Sequence, residues 1–382
     1  MSMGGGSRIE DLMHDRLPAR QSPVLAAFLS VVSQGYSLAM RARWRFYRSG
    51  LLASTRLPCA VVSVGNLSVG GTGKTPVTLL AASALSEMGY RVAVISRGYG
   101  GSLMRAGGVV SDGREILLSA AQAGDEPWLL ARRLPGVAVA VGARRVRSGA
   151  LCVERFGAQV LILDDGFQHL ALARDLDIVL MNSKTPLGNG QVFPRGPLRE
   201  PVDHLLRAHA LVLTRAGEGA PQPPDIWPSD RPVFSCSHLP TGWVSAPGPE
   251  GRLTPAAGPG YELDFLAGRR VAAFSGIANN ESFFSTLRDL GHEPVDCLGF
   301  ADHHPYAPAD LAHIRARARE RGADCLVTTE KDLARLGGQA AEGLPLYALA
   351  VEAAFPDAEG FRLLLSDSVE RALSRWGKAG GS

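Results

Sequence analysis

Cysteine is scarce in this 382-residue chain: there are five, Cys59, Cys152, Cys236, Cys297 and Cys325. Their number is odd, they are scattered, and no two stand in C-x-x-C spacing. The pattern argues against a disulfide framework or a zinc site and fits reduced thiols in a cytosolic protein. Net charge is small too, at +3 with 20% charged residues, too little to argue for nucleic acid as a partner. No predominantly apolar run reaches the about 20 residues that a membrane-spanning helix needs. The most apolar stretch, Pro23 to Met40, is diluted by Ser30, Ser33, Gln34 and Ser37. Its charges follow rather than precede it, and no small-residue cleavage site is evident, so a signal peptide is not expected. Internal repeats are lacking as well. What remains is a globular composition, 46% hydrophobic, in a chain long enough for two or three domains.

Against that plain background one stretch stands out, Val61 to Thr75. A β-branched run, Val61-Val62-Ser63-Val64, leads into a glycine-rich turn, then Gly73-Lys74-Thr75, then an apolar helical pattern from Pro76 to Met88. Strand, loop and helix in that order are the context of a phosphate-binding P-loop. Backbone N–H groups of Ser68, Gly70, Gly71, Thr72 and Gly73, with the positive end of the helix behind them, would converge on an anion. Lys74 would reach the β- and γ-phosphates of a nucleotide, and Thr75 would set its hydroxyl on Mg²⁺. One position departs from G-x-x-x-x-G-K-[ST]: Ser68 stands where the first glycine belongs.

Residues 1–22 have no periodicity and read as a mobile tail. From Pro23 onward, Val24, Leu25, Phe28, Leu29, Val32 and Tyr36 recur at helical spacing. Beyond Met40, Arg41, Arg43, Arg45 and Arg48 interleave with Trp44, Phe46 and Tyr47. Two readings fit: an amphipathic helix lying in a membrane interface with arginines on anionic lipid, or a helix packed on the soluble domain with a solvated basic end.

After the P-loop helix, the strand Arg91 to Ser96 ends in Arg97-Gly98-Tyr99-Gly100-Gly101, a loop expected on the nucleotide side. Gly124-Asp125-Glu126-Pro127 opens a helix, and both carboxylates suit a helix N-terminus without any catalytic role. Val160 to Asp165 is an apolar strand ending in two carboxylates, where a P-loop protein carries its Walker-B acid. Neighbours in a strand point to opposite faces, so at most one of Asp164 and Asp165 faces a metal. Residues 187–201 form a long irregular loop with Arg195 and Arg199, in keeping with a lid or binding loop for anionic groups. Residues 216–230 read as a linker. Strand–helix alternation then resumes through Arg270 to Phe274, Phe300 to Tyr306, and Cys325 to Asp332.

Taken in order, these motifs resemble a known family, the tetraacyldisaccharide 4′-kinases, which phosphorylate a lipid A precursor. The resemblance runs through Val64 to Pro76, Ser96-Arg97-Gly98-Tyr99, Gly124-Asp125-Glu126-Pro127 and Asp164-Asp165-Gly166-Phe167-Gln168-His169. It continues through Pro194-Arg195-Gly196-Pro197-Leu198-Arg199-Glu200, Phe300-Ala301-Asp302-His303 and Thr328-Thr329-Glu330-Lys331-Asp332. Ser68 is normal for this family. The resemblance implies ATP- and Mg²⁺-dependent transfer of the γ-phosphate to the 4′-hydroxyl of a tetraacylated glucosamine disaccharide 1-phosphate. It implies action at the cytoplasmic face of the bacterial inner membrane, by a peripheral protein without an obligate protein partner. Residue by residue, it makes Lys74 and Asp165 catalytic, Asp125 the base and His303 its partner. Thr75, Asp164 and Glu200 become metal residues, and Tyr99, Arg145, Gln168 and Arg199 lipid-substrate contacts.

The expected architecture is α/β: a P-loop NTPase-type, mostly parallel sheet flanked by helices, a smaller C-terminal α/β lobe and an N-terminal amphipathic helix. Expected boundaries are 1–50 for tail and membrane-associating helix, 51–230 for the kinase domain and 231–382 for the C-terminal lobe. The competing functions are a P-loop ATPase or GTPase switch, with water as acceptor, and a small-molecule P-loop kinase or ligase. The first gives no role to Asp125 and His303, and the second leaves the basic amphipathic helix unexplained.

Overall fold

A computed structural model of the protein describes residues 23–215, 222–245, 260–337 and 343–377. The expected tail at residues 1–22 and residues 216–221 of the expected linker lie outside them. In chain order the elements are α1 (Pro23–Arg48), β1 (Ala60–Asn66), α2 (Lys74–Glu87), β2 (Val92–Ser96), β3 (Gly108–Ser111), α3 (Ala120–Ala123), α4 (Asp125–Arg133) and β4 (Ala138–Val141). Next come α5 (Arg145–Phe156), β5 (Val160–Asp164), β6 (Leu176–Asn182), β7 (Ala210–Thr214), β8 (Val233–Ser245), β9 (Val271–Ser275) and α6 (Asn280–Asp289). The chain ends with β10 (Asp296–Gly299), α7 (Pro308–Glu320), β11 (Cys325–Thr329), α8 (Glu330–Leu336), β12 (Leu346–Ala354) and α9 (Ala358–Gly377). The α/β class is as expected, with mostly parallel strands and an N-terminal helix.

The chain folds into two compact units that interleave in sequence. One comprises residues 1–74, 159–237 and 354–382, the other residues 75–158 and 238–353.

In the first unit β1 is fully buried and runs parallel between β5 and β6, with Val64 opposite Asp164 and Ile178. Burial on both faces explains why these strands are near-continuous apolar runs rather than alternating ones. β7 adds parallel to β6, and the start of β8 parallel to β7. Leu67, Phe167, Val179 and Leu213 form a core cluster that Val192 and Leu198 of the irregular 187–201 segment complete. Helix α1 begins with Pro23, whose missing N–H costs nothing at a first turn. It continues through its arginines to Arg48, 26 residues in all, and by length and composition alone it is long and apolar enough to cross a bilayer. One side of it is tied down: Ser33 Oγ donates to Val192 O at 2.8 Å, Tyr36 hydroxyl to Arg199 O at 2.9 Å, and Arg43 to Gln168 O at 3.1 Å. Another side carries an exposed apolar stripe at helical spacing, Val24, Phe28, Val31 and Leu38.

In the second unit β2 and β4 pair parallel, and β3 adds to β4 antiparallel. β10, β9, β11 and β12 form a parallel set in that order. Its two faces are covered by separate apolar clusters, one around Phe274, Ile314 and Leu326, the other around Trp243, Phe284 and Val327. Helix α4 complements its own dipole, with Asp125 and Glu126 in the first turn and Arg132 and Arg133 in the last. Arg133 reaches α8, where its Nη1 donates to both oxygens of Glu330 at 3.0 Å.

Candidate active site

The nucleotide loop is built by the end of β1. Gly65 has no room for a side chain: a Cβ there would lie 2.7 Å from that of Phe167. The Asp164-Asp165-Gly166-Phe167 turn therefore packs directly on the strand that feeds the loop. Asn66 Nδ2 donates to Thr72 Oγ1 at 3.0 Å, and Gln168 Nε2 donates to Asn66 O at 2.9 Å. The loop's left-handed positions are Gly70, at φ 107°, and Gly73, at φ 76°.

Ser68 is not among them. It makes an antiparallel bridge with Leu198, flanked by Val69 N–H to Pro197 O and Arg199 N–H to Leu67 O, both 2.7 Å. A residue in a bridge of this kind is extended, which any L-residue adopts. That is the physical reason a serine is accepted where the general motif has glycine.

Lys74 opens α2, with Thr75 buried behind it. Lys74 Nζ lies 3.6 Å from Asp165 Oδ1, while Arg199 Nη1 donates to both oxygens of Asp165 at 2.9 and 2.8 Å. Asp165 adopts φ 51°, a left-handed conformation uncommon outside glycine but tolerated by aspartate. Leaving the strand in this way brings its carboxylate to Lys74. Asp164 ends β5 and is 1% exposed.

Glu200 is elsewhere in its contacts. Its Oε2 accepts from Arg207 and lies 3.3 Å from His204 Nδ1, and the residue is buried. Its charge is thus balanced by a guanidinium. Among the described residues no group of three or more His, Cys, Asp or Glu side chains is arranged to hold a metal ion. Magnesium takes one or two carboxylates and completes its shell with phosphate and water. Asp164, at the buried end of β5, is a carboxylate that such an ion would take; Glu200, engaged with Arg207, fits it less well.

A second cluster lies wholly in the second unit. Gly98, at φ 73°, presses the Arg97–Gly101 loop onto Ala123, whose O would meet a Cβ at 2.9 Å. That contact sets the exposed Tyr99 beside the start of α4. Asp125, the first residue of α4, is 7% exposed. Its Oδ1 accepts from Glu126 N–H at 2.9 Å. Its Oδ2 accepts from Arg335 Nε at 2.8 Å and lies 3.1 Å from His303 Nδ1. His303 sits in a left-handed turn at φ 58°, its N–H bound to Gly276 O at 3.1 Å and its ring edge-on to Tyr99 at 5.8 Å. Its side chain is 39% exposed, with Nε2 3.9 Å from Asp302 Oδ1.

Burial opposes a charge on Asp125, but the His303 hydrogen bond and the Arg335 and Lys331 charges outweigh it and hold the carboxyl well below its ordinary range. The hydrogen bond to Asp125 raises the proton affinity of His303, partly offset by burial and by Arg335. Asp125 and His303 are thus brought together. Lys74, Asp165 and Arg199 are brought together in their own unit. Arg145 is buried at the start of α5 and Tyr99 is exposed. Arg335 was not among the residues expected from sequence; it stands one turn beyond Asp332 on α8, just outside the Thr328–Asp332 motif.

A family profile described as LpxK, tetraacyldisaccharide-1-P 4′-kinase, matches residues 25–370. The chain belongs to this family. A tetraacyldisaccharide 4′-kinase of Desulfatibacillum aliphaticivorans is 46% identical over 95% of this chain and 98% of its own. That of Syntrophus aciditrophicus is 41% identical over the same shares of the two chains. A solved LpxK from Aquifex aeolicus, in complex with ATP, superposes with a TM-score of 0.74 at 32% identity, covering 90% of this chain and 99% of that one. This tetraacyldisaccharide 4′-kinase family member and that solved LpxK thus share an α/β fold.

Proposed function

We propose that this protein is an ATP-dependent tetraacyldisaccharide 4′-kinase in which an Asp125–His303 pair removes the proton of the acceptor hydroxyl. Membership of the family carries the kinase reading, and the Asp125–His303 contact carries the assignment of the base. An alcohol is a weak nucleophile at neutral pH, so its proton must be taken as the phosphoryl group arrives. Both Asp125 oxygens already accept hydrogen bonds, and the carboxyl is held anionic. An anionic Asp125 accepts from Nδ1–H of His303 and leaves the lone pair on Nε2, at the exposed end of the ring. This favours Nε2 as the proton acceptor, with Asp125 fixing its tautomer, the division of labour of a Ser-His-Asp triad.

The loop would bind the nucleotide phosphates by backbone N–H groups, with Lys74 on the transferring phosphate and Asp165 and Arg199 orienting Lys74. Thr75 and Asp164 would hold Mg²⁺, which when bound neutralises charge developing on the phosphate oxygens. Tyr99, Arg145 and Gln168 remain candidate contacts for the disaccharide. The exposed stripe of α1 suits an interfacial location at the inner membrane, where a tetraacylated substrate resides.

The test is transfer of label from [γ-³²P]ATP to tetraacyldisaccharide 1-phosphate in detergent with Mg²⁺. Labelled lipid is the expected result; ATP hydrolysis without labelled lipid would turn the reading into an ATPase. Liposome flotation of a Phe28→Glu, Leu38→Glu variant tests the membrane part, and undiminished flotation would remove α1 from it.

A further inference from the structure

The segment Thr328–Asp332 has no part in the chemistry above, and Arg335 enters no motif. In the structure their side chains converge on the proton-accepting pair. Arg335 Nε donates to Asp125 Oδ2 at 2.8 Å, and its Nη1 donates to Gly276 O at 2.7 Å and to Asp332 Oδ1 at 2.9 Å. The same Gly276 carbonyl accepts the backbone N–H of His303 at 3.1 Å. One guanidinium therefore holds Asp125 by its carboxylate and His303 through the carbonyl on which its backbone hangs. Asp332 is fully buried and is itself fixed by donation from Tyr306 hydroxyl at 2.9 Å, Gly276 N–H at 3.0 Å and Thr329 Oγ1 at 2.6 Å.

The geometry points to Arg335 as a positioning residue for the Asp125–His303 pair, kept in place by Asp332. This rests on the phosphotransfer reading above. Arg335 does not meet the reacting atoms; it acts through the pair. A buried ionic cluster is a poor way to gain stability, because well-packed apolar residues often do as well or better. Its directional value is greater: a guanidinium donates in a fixed plane to several acceptors at once, and an ammonium cannot copy that fork.

The charged and polar groups facing His303 are Asp125 from α4, Asp302 from its own turn, Arg335 from α8 and the Tyr99 ring from the loop after β2. Lys331, paired with Glu126, adds a positive charge near Asp125. Asp125 and Asp302 favour protonated His303, and Arg335 opposes it. Without Arg335 only burial opposes the carboxylates, and the pair loses its tether.

The experiment uses Arg335→Gln and Arg335→Lys in the full chain. It reads phosphotransfer against pH, KM for ATP, and an NMR titration of histidine rings with His303→Gln for assignment. For Arg335→Gln, kcat should fall about 100-fold, the scale of a misplaced catalytic group, with KM for ATP unchanged. The acidic limb of kcat and the His303 titration should both move to higher pH. Arg335→Lys should lose less rate and move both in the same direction by less. If Arg335→Gln does not fold, Arg335→Lys is judged on the same limb and titration. A rate loss with limb and titration unmoved makes Arg335 merely structural and overturns the inference, as does full activity in a folded variant. The titration needs no turnover. A wild-type protein that labels no lipid would therefore sink the phosphotransfer reading, while the titration still judges whether Arg335 sets the state of His303.

Discussion

The nucleotide loop and the Asp125 cluster solve the problem of fixing a functional group in opposite ways. The loop is shaped mainly by backbone: two left-handed glycines, Gly70 and Gly73, set its path, and main-chain bonds to Pro197 and Arg199 hold it at Val69 and Leu67. The Asp125 cluster is assembled from side chains at positions 99, 125, 303, 332 and 335, of which only Asp332 and Arg335 share an element. A site made of backbone tolerates changes of side chain but not of φ. A site made of side chains has the reverse sensitivity.

The largest test of this contrast is Lys74→Ala, which removes the side chain proposed to meet the transferring phosphate. Transfer should fall about 1,000-fold, the scale of losing a preorganised charge at the transition state, with weaker ATP binding by titration. Intact ATP affinity together with intact transfer would remove Lys74 from the site.

His303→Gln should cost about 100-fold or more in kcat, the usual range for a general base, while KM for ATP stays as it was. A rise in KM for ATP instead would place His303 on the donor side of the comparison.

The pH dependence sharpens the same point, because two properties of His303 move in opposite directions. Asp125 raises its proton affinity above the ordinary 6.5, and a base must be neutral, so the acidic limb of kcat should have its midpoint above 6.5. The pair's contribution to stability is fully present below 6.5 and fades as pH rises through the raised folded value. Asp125, held below the ordinary 3.8, contributes stability above that value and loses it on acidification. Activity and thermal midpoint against pH, for wild type and His303→Gln, should separate the two trends; parallel trends would contradict the assignment.

Smaller effects test the backbone side. Gly70→Ala, forced to φ 107°, should lower stability by about 1–2 kcal/mol. Ser68→Gly should shift it by no more than about 0.5 kcal/mol and leave transfer unchanged, since the extended bridge to Leu198 requires no glycine.

The same contrast decides what could be read from the sequence. The strand–loop–helix around Lys74 and the acidic end of β5 were legible because contiguous residues carry the whole signal. The departure at Ser68 was visible, but its cause was not, since the bridge partner lies 130 positions away at Leu198. Asp125 and His303 were reached only through resemblance: by itself Asp125 reads as a helix-end acid. Arg335 was out of reach, because its partners Asp125 and Gly276 are distant in sequence and only Asp332 is near. Glu200, expected beside the metal, is spoken for by Arg207, a pairing that no spacing rule suggests.

The segment between Val192 and Arg199 touches both α1 and the nucleotide loop. Val192 and Arg199 carbonyls receive Ser33 and Tyr36 of α1, while Pro197 O and Arg199 N–H grip the nucleotide loop at Val69 and Leu67. The first helix and the phosphate loop are thus two ends of one short strap. Protein engineers who trim α1 to obtain a more soluble enzyme would be cutting the anchor of that strap, and the defect should surface first as poor nucleotide affinity rather than as lost lipid binding.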